Sequence, residues 1–496
     1  MVQTIESVNG IINGFVWGPV MLLLLVGTGI LLTFRAGFPQ ILKFGTIMKN
    51  TVGTLFGPDA HKKDEAGISP YQAVATALAS TVGTGNITGV ATAIVAGGPG
   101  AVFWMWISAL FGTMTKFAEV TLAVKFRQKN ERGEWVGGPM YYMENGLNMK
   151  WLGVIFACLA TLASFGIGNM TQSNSIASAL NNTVGIPTWI TGLVVAAIVG
   201  VVILGGIKRI AQVTEKLVPL MGALYVILGI ITIVMNIDKL PGAFAIIFEC
   251  AFNPQAAMGG VLGYTIMNAI RFGFARGVFS NEAGLGSAPI AHAAANTDNP
   301  VKQGMWGAFE VIFDTFIICT ITSLVVVMSG MWMPGTGLDG AALSIAAFQN
   351  TLGGVGAAGV TVGTVLFALS TLLGWSYYGE KSIEYLFKTK DWVGYVKLGY
   401  KLVFIVAAFI GSIGGLQLIW AIADTLNGLM AIPNLIALLL LSGTVTKMVK
   451  DYFKKVETHS LTITALEQTA DILKSADFND KISKEITLSS KTFAAA

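Results

Sequence analysis

Four groups of residues in this chain have the types and spacing to hold a ligand, and none has those needed to break a covalent bond. Ser80-Thr81-Val82-Gly83-Thr84-Gly85-Asn86 sets two glycines among small and polar neighbours. Gly273, Gly277 and Ser280-Asn281-Glu282 form a second such stretch. Asn169 and Gln172 are amides in an otherwise apolar run, and Ser370-Thr371 is a consecutive hydroxyl pair. An unwound Gly-rich turn leaves the N–H groups of Thr84 and Gly85 at the head of a half-helix, where an anion is favoured. The carbonyls of Ser80 and Thr81 close the preceding half and can accept from an ammonium or a cation. Asn86 can steady the loop or ligate a cation. Hard cations take oxygen ligands, and two hydroxyls with backbone carbonyls make a cage without net charge. That is chemistry for binding a zwitterion and an ion. Cys158, Cys250 and Cys319 match no zinc or redox spacing, and His61, His292 and His459 are scattered. No Gly-x-Ser-x-Gly or His-Glu-x-x-His is present, so an enzyme is not expected.

The elements that must carry these residues are membrane spans. Of 496 residues 54% are hydrophobic and only 12% charged, against about 25% charged in an ordinary soluble protein. Mean hydropathy is +0.68. Apolar runs long enough to cross a bilayer recur near 11–33, 70–96, 101–124, 151–180, 189–206, 213–236, 259–290, 306–333, 357–387, 398–414 and 416–447. The expectation is an all-α polytopic membrane protein of eleven transmembrane helices. Basic residues cluster after odd-numbered spans, as in Arg35–Lys63, Lys125–Arg132, Lys208–Lys216, Lys388–Lys397 and Lys447–Lys455. The positive-inside rule then puts the N-terminus outside and the C-terminus in the cytoplasm, in the cell membrane. The N-terminus lacks a basic n-region and a small-residue cleavage site, so the first span is expected to be retained. With a net charge of +4 and no basic face, nucleic acid is not an expected partner.

The second span carries its glycines at mid-depth, where exposed backbone finds no water. The seventh is too long for one straight crossing and is expected to break at Gly273, Gly277 and Ser280-Asn281-Glu282. Close helix packing through small residues is the alternative for each. Five spans separate the start of one interrupted segment from the start of the next, and an odd number inverts the second. Paired interruptions in two inverted halves point to a transporter's midplane site. The divisions expected are 1–69, a peripheral helix and cytoplasmic loop; 70–236, the first repeat; 237–258, an extracellular loop; 259–449, the second repeat; and 450–496, a polar cytoplasmic tail.

Three motifs carry a family resemblance. Val82-Gly83-Thr84-Gly85-Asn86 resembles the Gly-x-Gly-Asn break in the first core helix of leucine-transporter-fold proteins. Gly97-Gly98-Pro99-Gly100-Ala101-Val102-Phe103-Trp104-Met105-Trp106 and Ala275-Arg276-Gly277-Val278-Phe279-Ser280-Asn281-Glu282-Ala283-Gly284 resemble two signatures of the alanine/glycine:cation symporter family. The resemblance covers roughly 10–450. It implies a five-plus-five inverted-repeat, leucine-transporter-like core with one extra N-terminal helix. It further implies sodium-coupled uptake of small neutral amino acids, alanine or glycine, with proton coupling or broader specificity as the alternative. No cofactor is implied beyond the coupling sodium ion.

The resemblance matches Ser370 and Thr371 to a sodium site completed by carbonyls of Ala79, Val82 and Phe367. Thr hydroxyls otherwise bond their own helix. It also places Gln172 on a core helix lining the substrate site, where the alternative is a bond to a neighbouring helix. Phe272 and Phe274 can wall the pocket or simply pack, and Trp375 can roof it or pack. Substrate contacts are therefore expected from Thr81, Thr84, Gly85, Asn86, Gln172, Phe272, Gly273, Phe274, Gly277 and Trp375. Intramembrane charges need partners: Arg271, Arg276, Glu282, Glu310 and Asp314 are expected to form an Arg–carboxylate network, with Arg271 as substrate clamp the competing reading. Lys116 and Glu119 are expected to pair at i,i+3 spacing.

Overall fold

The computed structural model describes residues 2–55, 57, 67–253, 265–333, 335–414, 417–475 and 480–495. The expected start of the seventh span at 259–264 and the basic pair Lys62-Lys63 lie outside the described residues. The chain forms two compact units, Met1–Ser442 and Gly443–Ala496. The second is helical where described.

α1 (Ile5–Ala36) is interrupted at Trp17-Gly18 ahead of Pro19. The next helix begins at a capping box: Ser69 Oγ accepts from Gln72 N (3.1 Å) and Gln72 Oε1 from Ser69 N (3.3 Å). That helix, α2 (Pro70–Thr81), stops because Val82 (φ −78°, ψ 95°) and Gly83 (φ −136°, ψ −154°) are extended. One tight turn, Thr84–Asn86, follows before the chain resumes as α3 (Thr88–Gly97). The second span is thus interrupted where its glycines are.

α4 (Gly100–Lys125) and α5 (Lys150–Val184) come next, α5 containing a π-helical turn at Gly166–Met170. α6 (Thr188–Ile203) and α7 (Gly206–Met235) lead to α8 (Leu240–Phe252). The stretch 237–258 was expected as a loop, but its apolar residues Ala243, Ile247, Cys250 and Ala251 are buried. A Cβ on Gly100 would overlap the Cys250 carbonyl, so α8 seats directly on the start of α4.

α9 (Ile266–Asn281) starts at Thr265, whose hydroxyl accepts from Asn268 N (3.1 Å). It runs unbroken through Gly273 and Gly277, against the expected interruption there. The two glycines serve packing instead. A Cβ on Gly273 would overlap the Ala101 carbonyl oxygen and lie 2.7 Å from Trp104 Cβ; one on Gly277 would lie 3.2 Å from Met105 Cγ. α9 ends at Glu282, whose φ of 55° is left-handed, and Gly284 (φ 93°) and Gly286 (φ 80°) carry the chain to a short turn at Pro289–His292. The interruption of the seventh span therefore falls after its polar triplet begins.

This gives a stability prediction. Gly273→Ala must push α9 off α4 backbone, costing about 1–3 kcal/mol, whereas Gly277→Ala comes no nearer than 3.2 Å to Met105 Cγ, a side-chain atom that can shift, with Ser108 Oγ and Met105 Cα at ordinary contact distance. Thermal unfolding of the solubilised protein should show the larger drop for Gly273→Ala; equal drops would mean that the helices separate freely.

α10 (Pro300–Ser329) holds a second π-helical turn at Ile312–Cys319. α11 (Gly340–Leu352), α12 (Gly354–Leu386) and α13 (Val393–Ile413) follow, and a last helix opens at Gln417 with Pro433 inside it. Among the described residues eight helices are long and apolar enough to cross a membrane: α1, α4, α5, α7, α10, α12, α13 and Ala421–His459. Of the other three expected spans, the second is divided between α2 and α3, α6 has 16 residues, and α9 is described from Ile266. The long helices expose rows of large apolar residues, as with Leu220, Ile227, Ile230 and Val234 on α7 and Leu402, Val406 and Ile410 on α13. Apolar ridges facing outward on fully hydrogen-bonded helices call for a hydrocarbon solvent. This is a multi-span membrane protein.

Candidate functional site

The hydroxyl pair on α12 meets the end of α2. Ser370 Oγ lies 2.9 Å from Ala79 O and 2.8 Å from Phe367 O; Thr371 Oγ1 lies 3.2 Å and 2.9 Å from the same two oxygens. Each hydroxyl thus reaches its own helix and the neighbouring one together. Four neutral oxygens converge in the buried core, with Val82 buried beside them in extended backbone. A hard cation placed there would turn the two hydroxyl lone pairs toward itself and share the carbonyls, so the donor set fits a sodium ion.

A second set of polar atoms adjoins the first. A Cβ on Gly83 would lie 2.5 Å from Thr371 Oγ1 and 3.7 Å from Gln172 Oε1. Only a glycine fits between the hydroxyl and the amide. Gln172 donates Nε2 to Ile167 O in the π turn (2.9 Å), which leaves its buried Oε1 without a partner. Thr84 Oγ1 is likewise buried and unpartnered. An unmade buried hydrogen bond costs about 1–3 kcal/mol, and here two occur beside an unwound turn. Thr84 and Gly85 open that turn, where N–H groups have no carbonyl one turn back. Asn86 steadies it, with Oδ1 accepting from Gly83 N (2.9 Å). Thr81 bonds its own helix through its hydroxyl (2.9 Å to Ala77 O), which leaves its carbonyl as its contribution.

α9 closes this region with residues other than those expected. A Cβ on Gly85 would lie 3.1 Å from Phe279 Cδ1 and 3.2 Å from Ser280 Cα. Phe274 instead faces Trp104 on α4, with ring centroids 6.1 Å apart, and Phe272 lies beside Gly97. The signal that could have found Phe279 was its place seven residues after Phe272, on the same helical face two turns nearer the polar triplet. Trp375 sits one turn beyond Thr371, packed on Gly168 of the π turn, and donates Nε1 to Glu282 Oε1 (2.8 Å). It therefore joins α12 to the end of α9.

A sequence profile of the sodium:alanine symporter family matches residues 2–465. The chain belongs to that family. It is 50% identical to the sodium/alanine symporter AgcS of Methanococcus maripaludis over 452 residues, covering 90% of this chain and 97% of that protein. It is 48% identical to an uncharacterized transporter of Haemophilus influenzae, covering 92% and 98%. The probable sodium/glutamine symporter GlnT of Bacillus subtilis is 42% identical, covering 92% of each.

Around these residues the charged side chains pair differently from expectation. Arg276 approaches Asp424 (3.8 Å) on the last helix rather than a carboxylate near the break, and Arg271 lies over the Phe272 ring (5.8 Å). Lys116 faces Glu310 (3.9 Å), not Glu119. Glu310 also takes His292 Nε2, and His292 Nδ1 meets Gln303 (2.8 Å). Glu119 accepts from Asn434 and from Gly286 N (3.1 Å) in the loop after α9. These carboxylates brace the 282–292 segment. Partners so distant in sequence carry no spacing signal, so the nearest opposite charge was the wrong guide.

Proposed function

We propose that the protein is a sodium-coupled symporter of small neutral amino acids, alanine first and glycine second, working by alternating access. The observation that carries this reading is Gly83, wedged between Thr371 of the ion-type oxygens and Gln172 of the ligand-type atoms. An ion and an amino acid bound there would share one turn of backbone, which is the geometry coupling requires. Sodium is held by Ser370, Thr371 and the carbonyls of Ala79, Val82 and Phe367. The substrate carboxylate takes the N–H groups of Thr84 and Gly85 with Thr84 Oγ1; its ammonium takes the Thr81 carbonyl and Gln172 Oε1. Family membership supports sodium as the coupling ion.

The architecture proposed with it has eleven spans: a five-plus-five inverted repeat of leucine-transporter type over 70–236 and 259–449, and a peripheral first helix. The N-terminus is outside and the 450–496 tail cytoplasmic, in the cell membrane. Uptake of labelled alanine into proteoliposomes tests the function. Saturable uptake driven by inward sodium and abolished by its removal is expected; uptake driven equally by a proton gradient would replace sodium as the ion. Unlabelled glycine should compete and glutamine, named for one relative, should not.

Size selection follows from Phe279. Its ring edge faces Gly85 across the turn, and since space for one methyl is worth only about 1–3 kcal/mol, rejection of large side chains must be steric. Phe279→Ala should let leucine or methionine compete with alanine. If they compete only after Trp375→Ala, the wall is Trp375 instead.

A further inference from the structure

Asp314 is wholly buried in the second π-helical turn, and instead of the arginine partner expected for it, it meets neutral groups. Asn86 Nδ2 donates to its Oδ1 (2.6 Å) and to its backbone carbonyl (3.3 Å). Ser280 Oγ lies 3.1 Å and 2.9 Å from its two carboxylate oxygens, and Thr315 Oγ1 donates to Oδ2 (2.9 Å). The Cys319 thiol closes the group, 3.3 Å from both Asn86 Nδ2 and Ser280 Oγ. Every hydrogen-bonding partner of the carboxylate is a neutral donor, and no lysine, arginine or histidine forms an ion pair with it among the described residues.

Two of those donors belong to the two walls of the site. Asn86 is the residue whose other amide atom holds Gly83 N, and Ser280 is the residue against Gly85. A carboxylate left buried without partners is strongly disfavoured, so these bonds are not idle ones that the chain can relax away. The amide of Asn86 has one oxygen and one NH2 group. While Asp314 holds the NH2, the oxygen must face Gly83, and the unwound turn keeps its shape.

We propose that Asp314 is the positioning residue of the transport site. It acts through Asn86 and Ser280, holding the unwound turn of the second span and the end of α9 at a fixed separation. The proposal rests on the symport reading for its transport readout but not for its structural one. Its π-helical setting fits this role, since π turns place side chains that an α-helical register would not.

The test uses the full chain in proteoliposomes, with Asp314→Ala and Asp314→Asn. An asparagine there can still accept from Asn86 through its oxygen and donate to Ser280 Oγ, which turns to accept. Asp314→Ala should raise the alanine KM about tenfold or more while Vmax stays within about threefold, and Asp314→Asn should restore KM to within about threefold. An unchanged KM in Asp314→Ala overturns the proposal. So does an Asp314→Asn protein as impaired as the alanine variant with a shifted sodium or pH dependence, because the charge and not the placement would then matter. If Asp314→Ala fails to assemble, Asp314→Asn and Ser280→Ala form a double-mutant cycle whose KM effects must be non-additive; additivity overturns the proposal. Hydrogen exchange at the Gly83 amide reads the same tie without transport. It should speed up in the alanine variant even if the wild type were to carry no alanine, and unchanged exchange would sink the positioning role while leaving the symport reading intact.

Discussion

Thr371→Ala is expected to raise the half-saturating sodium concentration by about tenfold or more, because it deletes one of two side-chain oxygens from a neutral cage. Thr371 Oγ1 lies 3.2 Å from Ala79 O and 2.9 Å from Phe367 O, and neither carbonyl can move far without unwinding its helix. Alanine affinity should fall with it at low sodium and recover at saturating sodium, since two ligands that share a site's conformation are linked reciprocally. Thr371→Ser keeps the hydroxyl and should stay close to wild type. Uptake measured against sodium for the three proteins decides the matter. If Thr371→Ala needs no more sodium than wild type, the hydroxyl pair is only a helix-to-helix tie.

The second large effect is Gly83→Ala, for which uptake should fall about a hundredfold or more. Its φ of −136° suits any residue, so the backbone is not the obstacle. The obstacle is the Thr371 hydroxyl 2.5 Å from the new methyl, with its Cβ at 3.5 Å and Gln172 Oε1 at 3.7 Å. Overpacking costs about 1–3 kcal/mol, and relief must come from moving either the ion-type oxygens or the unwound turn. Both ligands therefore suffer, unlike in Thr371→Ala, where the sodium requirement changes first. Adding Thr371→Ala to Gly83→Ala removes the overlapping oxygen and should bring the double variant back toward the Thr371→Ala level, a non-additivity that marks direct contact. Full additivity in proteoliposome uptake would place the new methyl against something other than Thr371.

Much of the site was legible because its signals are local. Two glycines at mid-depth of a span have no reason to stay helical in hydrocarbon, and α2 ends at Thr81 beside them. A hydroxyl pair halfway along a long apolar helix has to face protein, and Ser370 and Thr371 do. Gly273 and Gly277 misled for a related reason: the same residue that permits unwinding also permits close approach, and the sequence does not say which. On α9 the neighbouring α4 backbone took the space, so the helix stayed whole. The π turns at Gly166–Met170 and Ile312–Cys319 gave no signal, because the one-residue shift of phase they introduce can be read only once the buried face on either side is known.

By itself, then, the sequence determined the class of protein, the interrupted second span and the family, since composition, periodicity and short motifs are properties of neighbouring residues. Only the tertiary structure decided which partner each charged side chain among the helices takes. Arg276 went to Asp424, Lys116 to Glu310, Trp375 to Glu282, and Asp314 to Asn86 and Ser280. In a low-dielectric interior every such group must find a partner, but the partner is whichever atom the packing of helices brings within reach. That depends on the angle and rotation of whole helices, which the small residues on their faces set together and no single stretch of sequence records.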